Sequence, residues 1–314
     1  MCAWRRDRRP PPVCIRPGGS SPPRVRAGLA RSRRYHRLVT SYWLSERRPP
    51  LLAKALDGPA DVVVVGGGVT GCSAALTLAR AGQRVCLHEA REIAAGASGR
   101  NGGFALRGGA APYDVLAESI GREAAAELWR QTERALDELC TVAGDAVRRV
   151  GSLRLAADGD ECDELRVEFE AMREDGFAVE WRGAAELEGP LAGRFPGGMF
   201  HPTDAALQPA RAVRRLAALA ARAGVEIREY SRVGSLEELA APVVLVATDG
   251  YPSGLLGELE GLIVPTRGQM IATEPIEEQW FDVPHYGRHG FDYWHQAPDG
   301  RILAGGFRDT SMDS

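Results

Sequence analysis

The sequence predicts an α/β protein in which a doubly wound parallel domain is interrupted by a second, β-rich domain. Three observations predict it. The β-branched run Asp61–Val65 (DVVVV) opens into a glycine cluster and then into helical spacing, as a buried parallel strand and its crossover do. Further strands then alternate with amphipathic helices as far as Ala247. Beyond Leu262 the apolar segments are short and β-like.

Taken in order, residues 1–40 carry 11 arginines and one acid, Asp7, among Pro, Gly and Ser. Such a stretch buries too little to offset its ordering entropy, so it is expected to be disordered. Ser41-Tyr42-Trp43-Leu44 is an aromatic lead-in to the turn-prone Pro49-Pro50. Val69–Ala81 has helical spacing ended by Gly82, and Arg84–Glu89 is a second strand, which completes a βαβ unit. Pro112–Ala143 reads as one long helix or a bent pair, with Leu116, Ile120, Leu128, Leu136 and Leu139 as its apolar stripe. Ser152–Ala156 is a strand and Cys162–Glu174 an amphipathic helix. Gln208–Ala223 is a helix with Pro209 in its first turn and Gly224 just past its end. Val225–Tyr230 and Val243–Ala247 are strands, and Leu262–Thr273, Phe291–His295 and Ile302–Gly306 form a β-rich tail. The expected partition gives residues 57–145 and 201–252 to the first domain. Residues 146–200 and 253–314 go to the second.

Composition bounds the function. A length of 314 residues suits about two domains. A net charge of −3 argues against a dedicated nucleic-acid binder. No apolar run reaches the ~18 residues of a membrane span. Cys2, Cys14, Cys72, Cys86, Cys140 and Cys162 form no Cys-x-x-Cys pair and read as reduced thiols in a reducing compartment, the cytoplasm. His285, His289 and His295 lack carboxylates or cysteines at metal-ligand spacing, so no metal is expected. Neither Gly-x-Ser-x-Gly nor a P-loop occurs.

The chemistry lies in the glycines. Gly66-Gly67-Gly68-Val69-Thr70-Gly71 fits Gly-x-Gly-x-x-Gly, follows a strand, opens a helix, and has Glu89 at the end of the next strand. Gly66 permits the turn, Gly68 lets a pyrophosphate approach the backbone, and Gly71 lets the helix pack close to the strand. The helix N-terminus offers free amides to the phosphates. Glu89 accepts from ribose hydroxyls and repels a 2′-phosphate. The motif does not separate NAD from FAD. The second glycine-rich loop, Gly96-Ala97-Ser98-Gly99-Arg100-Asn101-Gly102-Gly103, suits a long cofactor lying extended across the domain.

The run DVVVVGGGVTG…LHEAREIAAGASGRNGG resembles the FAD-dependent amine and amino-acid oxidoreductases of the D-amino-acid oxidase, glycine oxidase and sarcosine oxidase type. The GASGRNGG loop and the SYW lead-in look most like the γ-glutamylputrescine oxidase branch. LQPARAVRRLAALAARAGVEIREYSRV, VVLVATDGY, VPTRGQMIATEPI and DGRILAGG are similar to later family segments in the same order. The resemblance implies an FAD-binding Rossmann-like domain with an interleaved β-rich substrate domain. It implies cofactor contacts at Gly66, Gly68, Val69, Thr70, Gly71, Glu89, Ala90, Ser98, Gly99, Arg100, Asn101, Gly102, Gly103, Val233, Ala247 and Thr248. It also implies oxidation of the C–N bond of a small-molecule amine or amino acid by hydride transfer to flavin, with O2 as acceptor and H2O2 as product.

Substrate-facing groups are expected on the tail: Tyr293 and His295, which share a strand face, Arg308, a cation suited to a substrate carboxylate, and Arg267, which the resemblance implies sits where the family's strand passes the flavin. Against the family pattern the chain is expected to be incomplete at the C-terminus. A last substrate-domain portion and a glycine-rich strand and helix over the flavin are without counterparts, which implies an unpaired strand edge. Sole Lys54 is no substitute for the cation expected near the flavin. Two further readings stand beside the oxidase: a dehydrogenase using a quinone or protein acceptor, and a non-catalytic truncated fragment.

Overall fold

A computed structural model describes residues 41–252, 254–265 and 268–306. The expected disorder of residues 1–40 falls outside them, as do Arg267 and Arg308. Among the described residues no helix is long and apolar enough to cross a membrane.

The strand β1 (Val62–Val65) leads into α1 (Val69–Arg80) and β2 (Val85–His88). Next come β3 (Phe104–Ala105), α2 (Tyr113–Ile120), α3 (Arg122–Ala143), β4 (Val147–Arg148) and β5 (Ser152–Leu155). They are followed by α4 (Gly159–Glu174), β6 (Glu180–Gly183), β7 (Gly197–His201), β8 (Ala205–Leu207) and α5 (Pro209–Arg222). The rest is β9 (Glu226–Arg228), β10 (Val243–Val246), β11 (Met270–Ala272), β12 (His285–Gly287), β13 (Asp292–Gln296) and β14 (Ile302–Gly305).

The first sheet is wholly parallel, in the order β10-β1-β2-β9. Its central strand is apolar at every position because both faces are covered. Val62 and Val64 turn to a core that also holds Cys72, Leu76, Val213 and Leu216 from α1 and α5. Val63 and Val65 turn to the opposite face, against Val233, Leu239 and Leu255. The outer strand β10 leaves Val243 54% exposed.

The second sheet has seven strands in the order β11-β14-β13-β12-β5-β7-β6. It is antiparallel except where β12 meets β5. A third, small sheet, β3-β8-β4, joins the second glycine loop to the start of α5. A buried ion network braces this region. Arg107, with its side chain fully enclosed, pairs with Glu133 at 2.6 Å and lies 3.7 Å from Asp204. Ser152 Oγ donates to Asp204 at 2.7 Å. Burial pushes the Asp204 carboxyl up to about 6 despite these donors.

The structure corrects one expected packing face. The 112–143 stretch is a bent pair that breaks at Gly121, φ +91°. The break resets the helical phase. Ile120 and Leu128 are therefore exposed, and the buried face of α3 is Ala125, Ala126, Trp129, Leu136 and Ala143. The sequence reading also passed over β6 and β7. Glycines at positions 197 and 198 mask the β-signal, yet a Cβ on Gly198 would stand 2.7 Å from the Arg154 carbonyl oxygen. The strand pairing needs its absence.

Candidate functional site: a dinucleotide cradle beside an aromatic wall

The glycine turn leaves β1 at its C-terminal end, where α/β sheets place their ligands. Gly66 has φ +117°, and a Cβ there would lie 2.3 Å from the Ala247 carbonyl oxygen at the end of β10. A Cβ on Gly71 would lie 1.9 Å from the Gly66 carbonyl oxygen. These two contacts hold α1 tight against the strand.

The turn leaves donors open. The N–H groups of Gly68, Thr70 and Gly71 find no acceptor among the described residues, while Val69 N–H donates to Ser98 Oγ at 3.0 Å. Thr70 is exposed and Gly68 half-buried, so their amides lie at the surface of the turn, with the Gly71 amide buried behind them. The helix dipole adds partial positive charge to the same point.

Glu89 lies beside the turn. Its carboxylate accepts from Gly67 N–H at 2.7 Å and from Arg91 N–H at 2.8 Å. Each oxygen keeps a lone pair for a sugar hydroxyl. Ala90 is exposed at the next position. Val233 packs its side chain under the sheet and keeps its backbone N–H and C=O free of partners among the described residues. Thr248, beside the Gly66 turn, has a buried hydroxyl with no partner. An orphaned polar atom at that point fits a polar ligand group.

The second glycine loop is folded on itself. Asn101 Nδ2 donates to the carbonyls of Ala97 (3.3 Å) and Ser98 (3.1 Å), and its Oδ1 accepts from Gly103 N–H at 3.0 Å. Arg100 Nε donates to the Ala95 carbonyl at 2.8 Å. Gly99 is buried and donates its N–H to the Gly96 carbonyl. The N–H groups of Asn101 and Gly102 have no acceptor among the described residues. They form a second set of open donors, linked to the first through Ser98.

An aromatic wall adjoins this loop. Phe104 meets Tyr293 edge-on at 5.9 Å, His295 at 5.4 Å and Tyr286 at 6.5 Å. Tyr293 and His295 thus share the face expected of alternate strand residues, and Tyr286 pairs with Tyr293 across the β12–β13 hairpin. Tyr293 is only partly buried and lies against Gly102 and Gly305. His295 is 2% exposed and stacks on Trp43 at 5.7 Å. Burial holds its imidazole down to about 4, so it is neutral at pH 7. Burial likewise holds His285 to about 4.

Sequence reasoning missed Phe104, Tyr286 and the contact made by Trp43. Phe104 directly follows Asn101-Gly102-Gly103 and carries a readable signal. Tyr286 does not, because only the hairpin register brings it beside Tyr293.

Comparison with known proteins agrees with this geometry. A family model described as FAD dependent oxidoreductase matches residues 61–314. A probable oxidoreductase OrdL of Haemophilus influenzae is 27% identical over 89% of the chain, which spans 72% of that relative. The γ-glutamylputrescine oxidoreductase of Escherichia coli is 29% identical over 78% of the chain, which spans 64% of it. Among solved structures, glycine oxidase from Geobacillus kaustophilus superposes with a TM-score of 0.61 at 23% identity, over 79% of this chain and 72% of that one. At that identity the superposition establishes the fold. FAD is the family's cofactor, and the open amides, Glu89 and the orphaned Thr248 hydroxyl fit its phosphates, ribose and polar edges. The chain belongs to the FAD-dependent oxidoreductase family.

Proposed function

We propose that this chain carries the cofactor site and part of the substrate wall of an oxidoreductase that oxidises the C–N bond of a small amine or amino acid. O2 is the proposed electron acceptor, with H2O2 as product. The observation that carries the reading is the pair of open donor sets, at Gly68–Gly71 and at Asn101–Gly102, with the aromatic wall beside the second. The relatives named γ-glutamylputrescine oxidoreductase and glycine oxidase support an amine or amino-acid substrate.

When bound, FAD supplies the two-electron acceptor. The chain's own residues position and desolvate. The amides of Gly68, Thr70 and Gly71 would receive the pyrophosphate, and Glu89 the ribose. Ala90 and the Val233 backbone would flank the adenine, and Ala247 and Thr248 close the turn. Tyr293, Phe104 and Tyr286 present an apolar aromatic surface that excludes water, which favours the uncharged amine. His295, neutral and enclosed, fixes the wall rather than moving a proton. Arg308 remains the proposed partner of a substrate carboxylate, and Arg267 a proposed neighbour of the flavin. The seven-stranded sheet, drawn from segments 146–200 and 253–314, is the proposed substrate half. The described cysteines are all unpaired, which supports a reducing compartment, the cytoplasm.

Reconstitution with FAD tests the reading. The expected product absorbs at about 450 nm, loses that absorbance when mixed anaerobically with an amine or amino acid, and releases H2O2 on aeration. Bleaching without H2O2, but with reduction of a quinone dye, would move the proposal to a dehydrogenase. A chain that takes up no FAD would overturn it.

A further inference from the structure

The family model begins at residue 61, yet the second glycine loop rests on residues ahead of it. Trp43 is 5% exposed, and its Nε1 donates to the Asn101 carbonyl oxygen at 2.8 Å. Its ring fills the space beside Gly103, where a Cβ would stand 2.6 Å from Trp43 Cζ2. Ser41 Oγ donates to the Gly99 carbonyl at 3.1 Å, and Leu44 Cδ2 lies 3.0 Å from the position of a Cβ on Gly99. The segment is tied down in turn. Gln208 Nε2, at the start of α5, donates to the Trp43 carbonyl at 3.0 Å. The indole also stacks on His295 of β13.

We propose that Ser41–Leu44 is a strap that aims the second glycine loop at the flavin end of the cofactor, with Trp43 as its positioning residue. The proposal rests on the FAD reading and assigns a role outside the matched family module.

The physical reason lies in one peptide unit. The Asn101 C=O and the Gly102 N–H belong to the same planar trans peptide and point in opposite directions. Trp43 holds the carbonyl, so the open Gly102 N–H is fixed away from the indole. Without that bond, glycine at positions 102 and 103 lets the peptide rotate at little steric cost. The strap thereby removes a freedom that the loop's own glycines create. It also ties the loop to β13, so cofactor loop and aromatic wall keep one spacing.

The test separates the two ends of the cofactor. ADP occupies the adenosine end only, whereas FAD occupies both. Dissociation constants for ADP and for FAD are measured on the full chain and on Trp43→Phe and Ser41→Ala. Trp43→Phe keeps an aromatic ring in the strap but removes the N–H donor together with the fused ring that carries Cζ2 against Gly103. It is expected to leave ADP binding unchanged and to weaken FAD binding about tenfold, the scale of one lost hydrogen bond. It should also broaden the visible flavin band. Ser41→Ala is expected to act in the same direction and less strongly. FAD binding unchanged in both variants overturns the strap. Equal weakening of ADP and FAD overturns it too, because the damage would then be general. A parent chain that binds ADP and ignores FAD overturns the strap together with the flavin reading.

Discussion

The glycine turn and Glu89, the core of the proposed adenosine end, come from one stretch, Val62 to Glu89, with Val233, Ala247 and Thr248 only flanking it, whereas the aromatic end is gathered from Trp43, Phe104, Tyr286, Tyr293 and His295. The first is a βαβ unit whose geometry follows from its own glycines. Gly71 meets Gly66 within a single turn of chain. The second depends on sheet register and on a strap lying 58 residues before the loop it holds. A binding site built from local sequence is robust and legible. One assembled across the fold is open to adjustment, and that is the half in which substrate choice is expected to reside.

The strongest way to break this comparison is at the local end. Gly71→Val places a branched side chain against the Gly66 carbonyl, where even a Cβ stands at 1.9 Å. Overpacking of this kind costs about 1–3 kcal/mol or more, and here it separates α1 from β1. Loss of nucleotide binding and a lowered melting temperature are expected. A variant that melts and binds as the parent does would show that the helix–strand contact is not what shapes the turn.

The next effect belongs to the assembled end and is read by pH. His285 and His295 have folded-state values near 4 against an ordinary 6.5. Below pH 6.5 the unfolded chain binds protons that the folded chain refuses until about pH 4. Their contribution is therefore present above pH 6.5 and is lost on acidification, on the order of 3 kcal/mol for each. His201, held down to about 3 by burial, acts in the same direction. Asp204 opposes them. Its folded value of about 6 lies above the ordinary 3.8, so its contribution is present at low pH and fades as pH rises through 6. Three histidines outweigh one aspartate, and denaturation midpoints are expected to fall as pH drops from 6.5 to 4. His295→Phe should flatten that slope, and an unchanged slope would remove His295 from the account.

The smallest effect lies at the seam between the ends. Ser98 Oγ accepts from Val69 N–H at the start of α1. Ser98→Ala removes this cap at a cost of about 1 kcal/mol. A melting temperature lowered by a few degrees, with ADP binding retained, would place Ser98 as a link rather than as the main grip. Loss of ADP binding would instead make it part of the phosphate cradle.

Legibility followed the same division. The turn, Glu89 and the parallel strands could be read because each declares itself within a few residues. α5 was readable from Pro209 and Gly224. The bend at Gly121 shifted the expected stripe: the glycine is visible in the sequence and permits a bent pair, but the phase at which α3 resumes is set by packing. β7 was hidden by glycines that its neighbours require. Tyr293 and His295 were found through strand alternation, but His295 proved to be enclosed between Trp43 and Phe104, a fact that only packing reveals.

The central claim is that bare amides at the glycine turn receive the cofactor's phosphates. A Cβ on Gly68 meets only the Ser98 side chain, 3.0 Å from its Oγ, so Gly68→Ala disturbs at most the Val69–Ser98 bond, the effect that Ser98→Ala measures by itself, while covering the amides. FAD titration by isothermal calorimetry, alongside a melting curve, tests this directly. The account predicts a melting temperature close to the parent's and an affinity reduced at least a hundredfold, about 2.7 kcal/mol. Equal affinity in parent and variant would contradict it.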